Sequence, residues 1–294
     1  MTNNLGNHII EAEVERVNET EPAQVNEIRA ARAFSEQSAV FDKIYGNDPI
    51  VSYKRTRVRE HIMQYLGAGD QILELNCGTG EDSLYFAGKG FRVHATDISD
   101  GMLAALNEKK ELHVAGQSVT VENCSYTSLD HLKNKGPFDY IFSNFGGLNC
   151  TGDLKKVLLS FADLLRPGGH VSLVIISGFC LWETLLLFKG KFKTAFRRFF
   201  SSGGRQAQVE GQSFTCWYYK PSYVIDSLKG DFDCIEVEGL CTLVPPSYME
   251  GFSQKYPDAF TYLCKQENKR KASFPWKYIG DYFIITLKKR EQTL

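Results

Sequence analysis

The 294-residue sequence lacks the features that define several large classes of protein. It contains no run of 18 apolar residues, so we expect no segment that crosses a membrane, while peripheral contact with a membrane stays open. Its 34 basic and 35 acidic residues give a net charge of −1, which does not favour a general binder of DNA or of another polyanion. The oligomeric state is not encoded in any pattern that we recognise.

The eight cysteines form no C-x-x-C motif and no cluster with metal-ligand spacing, so we predict no metal site. Several of them lie inside apolar, strand-like runs, where cysteine behaves as a small hydrophobic residue. No secretory signal sequence is recognised before them. We therefore expect reduced thiols and a cytoplasmic location.

The most informative stretch predicts a strand, a glycine turn, a helix and a second strand. Residues 72–75 are a short apolar run, and N-C-G-T-G at residues 76–80 predicts a tight turn because glycine adopts positive φ without strain. Residues 81–88 predict a short helix, and residues 91–96 alternate like a strand that ends at Asp97. This arrangement is half of a nucleotide-binding βαβ unit, with an acid placed for ribose hydroxyls.

The third glycine of a dinucleotide motif, G-x-G-x-x-G, is missing. Gly80 is followed by Glu81 and Asp82, which lie at the start of the predicted helix. A pyrophosphate requires positive potential at this position, and two carboxylates oppose it. The same two groups tolerate a ligand that carries a cationic centre and no phosphate. We therefore predict a nucleoside ligand other than NAD.

The pattern E-x-x-x-G-x-G from Glu74 to Gly80, with Asp97 to follow, resembles motif I and its acidic partner in class I S-adenosylmethionine-dependent methyltransferases. The F-D pair at residues 138–139 and R-P-G-G at residues 166–169 also match the family. The resemblance implies S-adenosylmethionine as the cofactor. It further implies an α/β, Rossmann-like fold with a seven-stranded, mostly parallel sheet, an antiparallel last strand and an inserted lid.

By this resemblance, cofactor contacts are expected from the glycine turn, from the loops after the second, third and fourth strands, and from a preceding helix that closes over the site. The expected residues are Glu74, Asn76, Cys77, Gly78, Thr79, Gly80, Asp97, Ile98, Met102, Ser125, Tyr126, Asn144, Phe145, Arg55, Arg57 and Tyr53. Asp97 is expected to hold the ribose, and Asn144 and Phe145 to lie beside the methionine part, facing the methyl group.

Two details of this set stay open. Either Arg55 or Arg57 would meet the cofactor carboxylate, beneath a roof formed by Tyr45 and Tyr53. Family members frequently carry an acid near the adenine amine after the third strand. This sequence has Ser125-Tyr126 there instead, which leaves the contact to backbone groups or to those two side chains.

The sequence divides into an N-terminal helical extension (1–45), a cofactor-binding core (46–177), a lid (178–220) and a C-terminal part that completes the sheet (221–294). The first half of the lid predicts helix rich in Leu, Phe and Trp, with several cations, and the second half predicts a two-stranded ribbon. An insertion after the fifth strand would lie over the methyl-donor pocket. The predicted substrate contacts are Asn149, Phe179, Trp182 and Phe188.

The predicted function is methyl transfer from S-adenosylmethionine to a small, hydrophobic or aromatic molecule. Oxygen is the favoured acceptor, with nitrogen and carbon open, and Glu183 and Tyr45 are the candidate general bases. The fourth strand ends in S-N-F-G rather than an N-P-P-Y type box, which argues against DNA adenine and glutamine as targets. The alternatives are methylation of a macromolecule (tRNA or protein) docked on the basic lid, and a cofactor-binding protein without transfer activity.

Overall fold

The computed structural model describes residues 23–46, 48–199, 203–249 and 251–291. Residues 1–22 of the predicted N-terminal extension lie outside this range. No helix within the described ranges is long and apolar enough to cross a membrane.

A seven-stranded sheet forms the centre of the molecule, with the strand order β3-β2-β1-β4-β5-β9-β8. Strands β1 to β5 pair in parallel, and the last strand, β9, pairs antiparallel with both β5 and β8. A separate antiparallel ribbon consists of β6 and β7. The strands are β1 (Gln71–Leu75), β2 (Arg92–Asp97), β3 (Val119–Asn123), β4 (Phe138–Ser143), β5 (Leu165–Ile176), β6 (Arg205–Val209), β7 (Gln212–Cys216), β8 (Phe232–Leu240) and β9 (Tyr282–Lys289). The predicted fold class is confirmed.

Helices cover both faces of the sheet, because the central parallel strands are apolar on both sides. One buried cluster joins the sheet to α5 and α8, and a second joins its other face to α2, α3 and α4. The helices are α1 (Ala23–Tyr45), α2 (Pro49–Met63), α3 (Glu81–Gly88), α4 (Asp100–Leu112), α5 (Leu154–Leu164), α6 (Leu181–Leu185), α7 (Phe192–Phe196), α8 (Pro221–Leu228), α9 (Phe252–Lys255) and α10 (Pro257–Arg270).

The strand order places the candidate site. The chain runs outward from β1 to β2 and β3 on one side, and from β4 to β5 on the other. The crevice between the carboxyl ends of β1 and β4 is the switch point at which open α/β sheets bind ligands. The glycine turn after β1 and the S-N-F-G sequence after β4 therefore face one another.

Strand β5 begins at Leu165, so it includes the R-P-G-G segment at residues 166–169. Leu165 pairs with Phe138, and a register shift follows between Phe138 and Tyr140. The R-P-G-G segment makes this bulge because Gly168 has φ +73, and a Cβ on Gly169 would lie 2.9 Å from the carbonyl oxygen of Asp139. The helix α10, between β8 and β9, was not predicted from the sequence pattern.

The N-terminal helix α1 packs on the lid ribbon. The side-chain amide of Asn26 accepts a hydrogen bond from the backbone N–H of Thr215 at 2.6 Å and donates to its carbonyl at 2.9 Å. Asn26 also donates to the carbonyl of Cys150 at 2.7 Å. One buried side chain thus joins α1, β7 and the loop after β4.

Candidate cofactor and substrate site

The two glycines of the turn after β1 have different structural roles. Gly78 has φ +55, and a Cβ built there would meet no atom within 4 Å, so the backbone is open to a ligand. Gly80 has φ +77, and its Cβ would lie 2.0 Å from Cδ1 of Leu106 in α4. Gly80 therefore permits close packing of α4, while Gly78 offers an approach to the backbone.

Asp97 closes this turn at the tip of β2. Its carboxylate accepts hydrogen bonds from the backbone N–H of Gly78 and of Ser99, both at 2.9 Å. Burial raises the pKa of Asp97, and these backbone donors offset part of that rise. Each carboxylate oxygen has a second lone pair. The group is thus held in place beside the open turn and can still accept from a diol.

The first turn of α3 supports the loop after β4. Asp82 accepts from Nε of Arg59 at 2.6 Å and from the amide of Asn144 at 2.7 Å. Glu74 lies behind this turn, where its carboxylate accepts from the hydroxyl of Ser83 at 2.5 Å. Burial, followed by the charge of Asp82, raises the pKa of Glu74 to about 8. Glu74 thus holds α3 in place. Its carboxylate is not directed toward a ligand, although a cofactor contact was predicted for it.

Helix α1 lies over the glycine turn. Asp42 accepts from the hydroxyl of Thr79 at 2.7 Å and pairs with Lys109 of α4 at 2.5 Å. Ser35 shares a hydrogen bond of 2.6 Å with Ser99, the N-cap of α4. Thr79 is buried as a result.

The remaining residues predicted for the nucleoside lie along the carboxyl ends of β1 to β3. Cys77 is buried and Ile98, next to Asp97, is half-buried. Met102 is buried in the first turn of α4. Tyr126 is buried, and its hydroxyl has no hydrogen-bond partner among the described residues.

Glu27 of α1 joins this end of the site, and the sequence analysis did not single it out. Its Oε2 accepts from the hydroxyls of Ser125 at 2.6 Å and Thr127 at 2.8 Å. Its Oε1 is buried without a hydrogen-bond partner. Burial raises the pKa of Glu27, the two hydroxyls lower it in part, and nearby Asp97 raises it further. No motif marks Glu27, because its position depends on how α1 packs.

The other end of the site lies after β4. Phe145 has φ +48, an uncommon conformation for a bulky residue that costs on the order of 1–3 kcal/mol. Asn76, itself at φ +47, donates to the carbonyl of Asn144 at 3.1 Å. The guanidinium of Arg55 lies 5.5 Å from the centre of the Phe145 ring. Arg55 thus stays a candidate for the cofactor carboxylate.

Lys54 is a second residue that the sequence analysis missed. It is 4% exposed, and its Nζ lies 5.3 Å from the Phe145 ring centre and 5.0 Å from that of Tyr282. Its hydrogen-bond partner is the hydroxyl of Ser247, at 3.3 Å. Across the described part of the chain it forms no ion pair. A buried ammonium without a counter-charge is costly, so this position favours an anionic ligand group.

The predicted roles of Arg57 and Tyr53 at the cofactor are not supported. Arg57 is buried and donates to Glu238 of β8 at 2.8 Å and to the hydroxyl of Tyr53 at 3.0 Å. Tyr53 in turn donates to Glu267 of α10 at 3.0 Å. Both side chains lie on the face of α2 that contacts β8 and α10. They form their hydrogen bonds with residues of α2, β8 and α10.

The environments of the two candidate general bases do not favour proton acceptance. Glu183 is buried and paired with Arg197 and with Arg198, the latter at 2.6 Å. Burial alone would raise the pKa of Glu183, but the two arginines hold it below its usual value, so it is a weak base. Tyr45 ends α1 with its ring centre 4.7 Å from that of Phe41. Burial raises the pKa of Tyr45, which makes its phenolate less accessible.

Two of the four predicted substrate residues have other roles. Asn149 is fully buried, and its amide bonds the backbone of Ile176 and the carbonyl of Trp217 at 2.6 Å, which fixes the lid at the end of β5. Phe188 is 87% exposed and lines no enclosed pocket. Phe179 contacts the ring of Phe199 edge-on, with centres 5.7 Å apart. The indole N–H of Trp182 is buried with no acceptor among the described residues.

This sheet order, with a glycine turn after β1 and an acid at the tip of β2, defines the class I methyltransferase fold. Residues 72–169 match the family model described as a methyltransferase domain. The solved 1,6-didemethyltoxoflavin-N1-methyltransferase of Burkholderia thailandensis has the same fold. It has a TM-score of 0.55 at 16% identity, over 97% of this chain and 99% of that one.

Two curated relatives match part of the chain. The ubiquinone/menaquinone biosynthesis C-methyltransferase of Bdellovibrio bacteriovorus is 35% identical over 144 residues, which are 47% of this chain and 57% of that protein. The S-adenosyl-L-methionine-dependent Diels-Alderase of Talaromyces variabilis is 30% identical over 121 residues, 40% and 41% of the two chains. The matched part thus spans about half the length of these relatives. The match to a methyltransferase domain, the fold and these relatives support a class I S-adenosylmethionine-dependent methyltransferase, with S-adenosylmethionine as the cofactor.

The site fits this cofactor. The backbone is open at Gly78, and the acids there, Asp97 and Glu27, suit hydroxyls, an amine and a sulfonium rather than phosphate.

We predict that Asp97→Ala weakens binding of S-adenosylhomocysteine about tenfold to a hundredfold, because a charge-assisted contact to the ribose diol is lost. Calorimetry measures the dissociation constant. The control is Asp100→Ala, which removes an exposed carboxylate three residues away in α4. A dissociation constant that stays the same in Asp97→Ala would place the ribose elsewhere.

Proposed function

We propose that the chain transfers the methyl group of S-adenosylmethionine to a small hydrophobic or aromatic molecule that carries a negatively charged or ionisable oxygen. The observation that supports this most is the buried, unpaired Lys54 beside Phe145, at the methyl-donor end of the site. The bound cofactor supplies an electrophilic methyl group on a sulfonium. The described residues supply alignment and exclude water, which is where most of the catalysis of such a displacement arises.

Each end of the site has a distinct task in this proposal. Asp97 and the open backbone at Gly78 hold the nucleoside. Asp82 fixes Asn144, so the strained Phe145 is held against the methionine part. Lys54 then faces the acceptor and stabilises an oxyanion on it, in a buried setting where such a charge interaction is strong.

A substrate that reacts as an oxyanion does not need a protein base to accept its proton during methyl transfer. A phenol or enol next to an ammonium ionises more easily, so a protein base is not required. A phenolate or enolate is nucleophilic at its oxygen and also at the neighbouring carbon. The sequence favoured oxygen as the acceptor, and the similarity to the Bdellovibrio relative, a C-methyltransferase, supports carbon as an alternative acceptor.

A second candidate function is a cofactor-dependent reaction without methyl transfer. The observation that favours it is the similarity to the Talaromyces relative, whose name describes a Diels-Alderase that depends on the same cofactor. The two functions differ in the fate of the methyl group. Transfer consumes the cofactor in proportion to product, whereas the alternative leaves it intact.

The test is incubation of the purified chain with methyl-labelled S-adenosylmethionine and a panel of phenols, naphthols and reduced quinones. We expect S-adenosylhomocysteine to form in equal amount to a labelled product. Conversion of a probe with the label retained on the cofactor would favour the second function.

We predict that Lys54→Met lowers turnover by about a hundredfold, because the stabilising charge at the acceptor is lost. The affinity for S-adenosylhomocysteine should stay within about twofold of the wild type. Arg55→Met is the matched comparison, since the Arg55 guanidinium also lies near the Phe145 ring and Arg55 is the candidate for the cofactor carboxylate. It should weaken cofactor binding first. Loss of cofactor affinity in Lys54→Met would instead assign Lys54 to that carboxylate.

A further inference from the structure

The first half of the lid carries exposed apolar side chains on its outer surface. We call this the lid surface, and its residues and exposed fractions are Leu185 (41%), Phe188 (87%), Phe192 (62%), Phe196 (43%) and Phe199 (51%). Single exposed apolar residues are common on protein surfaces, but five within 15 positions form a cluster that indicates a binding surface.

The same segment is positively charged. Lys189, Lys191 and Lys193 are exposed and alternate with the phenylalanines. None of the three forms an ion pair within the described ranges. No acidic residue occurs between Glu183 and Glu210 in the sequence. In a chain with a net charge of −1, this is a local excess of positive charge.

Buried ion pairs fix the lid in this orientation. Arg198 pairs with Glu183 at 2.6 Å and with Asp281, next to β9, at 2.5 Å. It also donates to the carbonyl of Ser177, at the end of β5, at 2.8 Å. The arginines thus point into the body and the phenylalanines point outward, the reverse of what the lid's predicted enclosing role requires.

We propose that the lid surface docks on an anionic phospholipid bilayer. Phenylalanine and leucine enter the boundary between headgroups and acyl chains, and the flanking lysines pair with anionic headgroups. A symmetric contact with a second copy would set the lysines against one another. Binding of RNA would use the lysines and leave the largest apolar side chains without a role.

This inference extends the proposed function, because it names the source of the substrate. The lid leaves and rejoins the body at the carboxyl end of β5, where Gly178 donates to the carbonyl of Tyr219 at 2.8 Å. The loop with Phe145 is adjacent, since Gly146 donates to Val174 of β5 at 2.9 Å. An apolar substrate dissolved in the bilayer would thus enter next to the methyl-donor end.

The test is co-sedimentation of the full chain with vesicles of phosphatidylcholine, with and without phosphatidylglycerol. We expect binding to the anionic vesicles. Phe188→Ser combined with Phe192→Ser should weaken it at least about tenfold, through loss of buried apolar area. Lys191→Gln combined with Lys193→Gln should weaken it about thirtyfold, at roughly a kilocalorie per mole for each lysine.

Matched controls distinguish binding through the lid surface from non-specific binding to vesicles. Leu112→Ser combined with Val114→Ser removes apolar residues that are 82% and 89% exposed, where α4 ends at the opposite edge of the sheet. Lys265→Gln combined with Lys269→Gln makes the same charge change on α10. Both controls should bind vesicles like the wild type.

Other outcomes would overturn the proposal. They are no vesicle binding by the wild type, equal loss in the controls, salt-sensitive binding of tRNA that needs only the lysines, and a dimer that the phenylalanine variant dissociates. S-adenosylhomocysteine affinity of each variant, measured without vesicles, reports folding. Methylation of a water-soluble probe by the wild type tests the proposed function separately.

A different observation carries a second inference, at the nucleoside end. We infer that Glu27 accepts a hydrogen bond from the exocyclic amine of the adenine. Its Oε1 is buried and unpartnered, in a residue only 2% exposed. Its Oε2 accepts from Ser125, and the backbone N–H of the preceding residue, Cys124, donates to the carbonyl of Asp97 at 3.1 Å. In this inference the base of a nucleoside held by Asp97 lies along this loop and meets Glu27, so α1 becomes part of the cofactor site.

The test compares S-adenosylhomocysteine with S-inosylhomocysteine, which has a carbonyl in place of the amine. The wild type should prefer the adenosyl ligand by about tenfold or more, since a carboxylate cannot donate to the carbonyl. Glu27→Gln should reduce or invert this ratio, because an amide both donates and accepts. Glu36→Gln, an exposed carboxylate on the same helix, should keep it. If Glu27→Gln leaves the ratio of the two affinities unchanged, the inference is overturned. Because both ligands are measured on the same variant, a loss of α1 stability affects both affinities and cancels in the ratio.

Discussion

The contact between Asp97 and the backbone of the glycine turn is the constraint on which the rest of the site depends. A single carboxylate accepts from Gly78 after β1 and from Ser99 before α4, so it ties together two neighbouring strand ends. Ser99 in turn caps α4 and meets Ser35 of α1. The open backbone of the turn, the start of α4 and the covering helix are therefore positioned by the carboxylate of Asp97.

Two kinds of buried charge among the described residues differ in purpose. Arg57 with Glu238, and Arg198 with Glu183, form ion pairs, so removing one partner would leave a costly isolated charge. These pairs hold α2 and the lid against the β5–β9–β8 part of the sheet. Lys54 and one oxygen of Glu27 are buried without such compensation. They lie at opposite ends of the crevice, where a bound ligand would supply the missing counter-charge to Lys54 and the missing hydrogen-bond donor to Glu27.

The sequence predicted the parts of the site that depend on local chemistry. Glycines at positive φ, an acid at a strand tip and an apolar strand period are local properties, so Gly78, Asp97 and the sheet followed from pattern. The choice among charges on α2 did not follow, because Lys54 and Arg57 differ only in which face of the helix meets which neighbour. Glu27 was hidden for the same reason, since 98 residues separate it from Ser125.

In the lid, the function that the amino-acid composition suggests depends on which side chains face the body and which face solvent. Aromatic residues of the lid, Phe179, Trp182 and Phe188, were predicted to contact a substrate. In the structure Arg197 and Arg198 turn inward because Glu183 and Asp281 offer them buried partners. The helix segments are short, so turning the arginines inward leaves the alternating Phe and Lys side chains to face outward. A surface that is both apolar and basic follows from the buried ion pairs, and it is suited to a boundary between water and lipid.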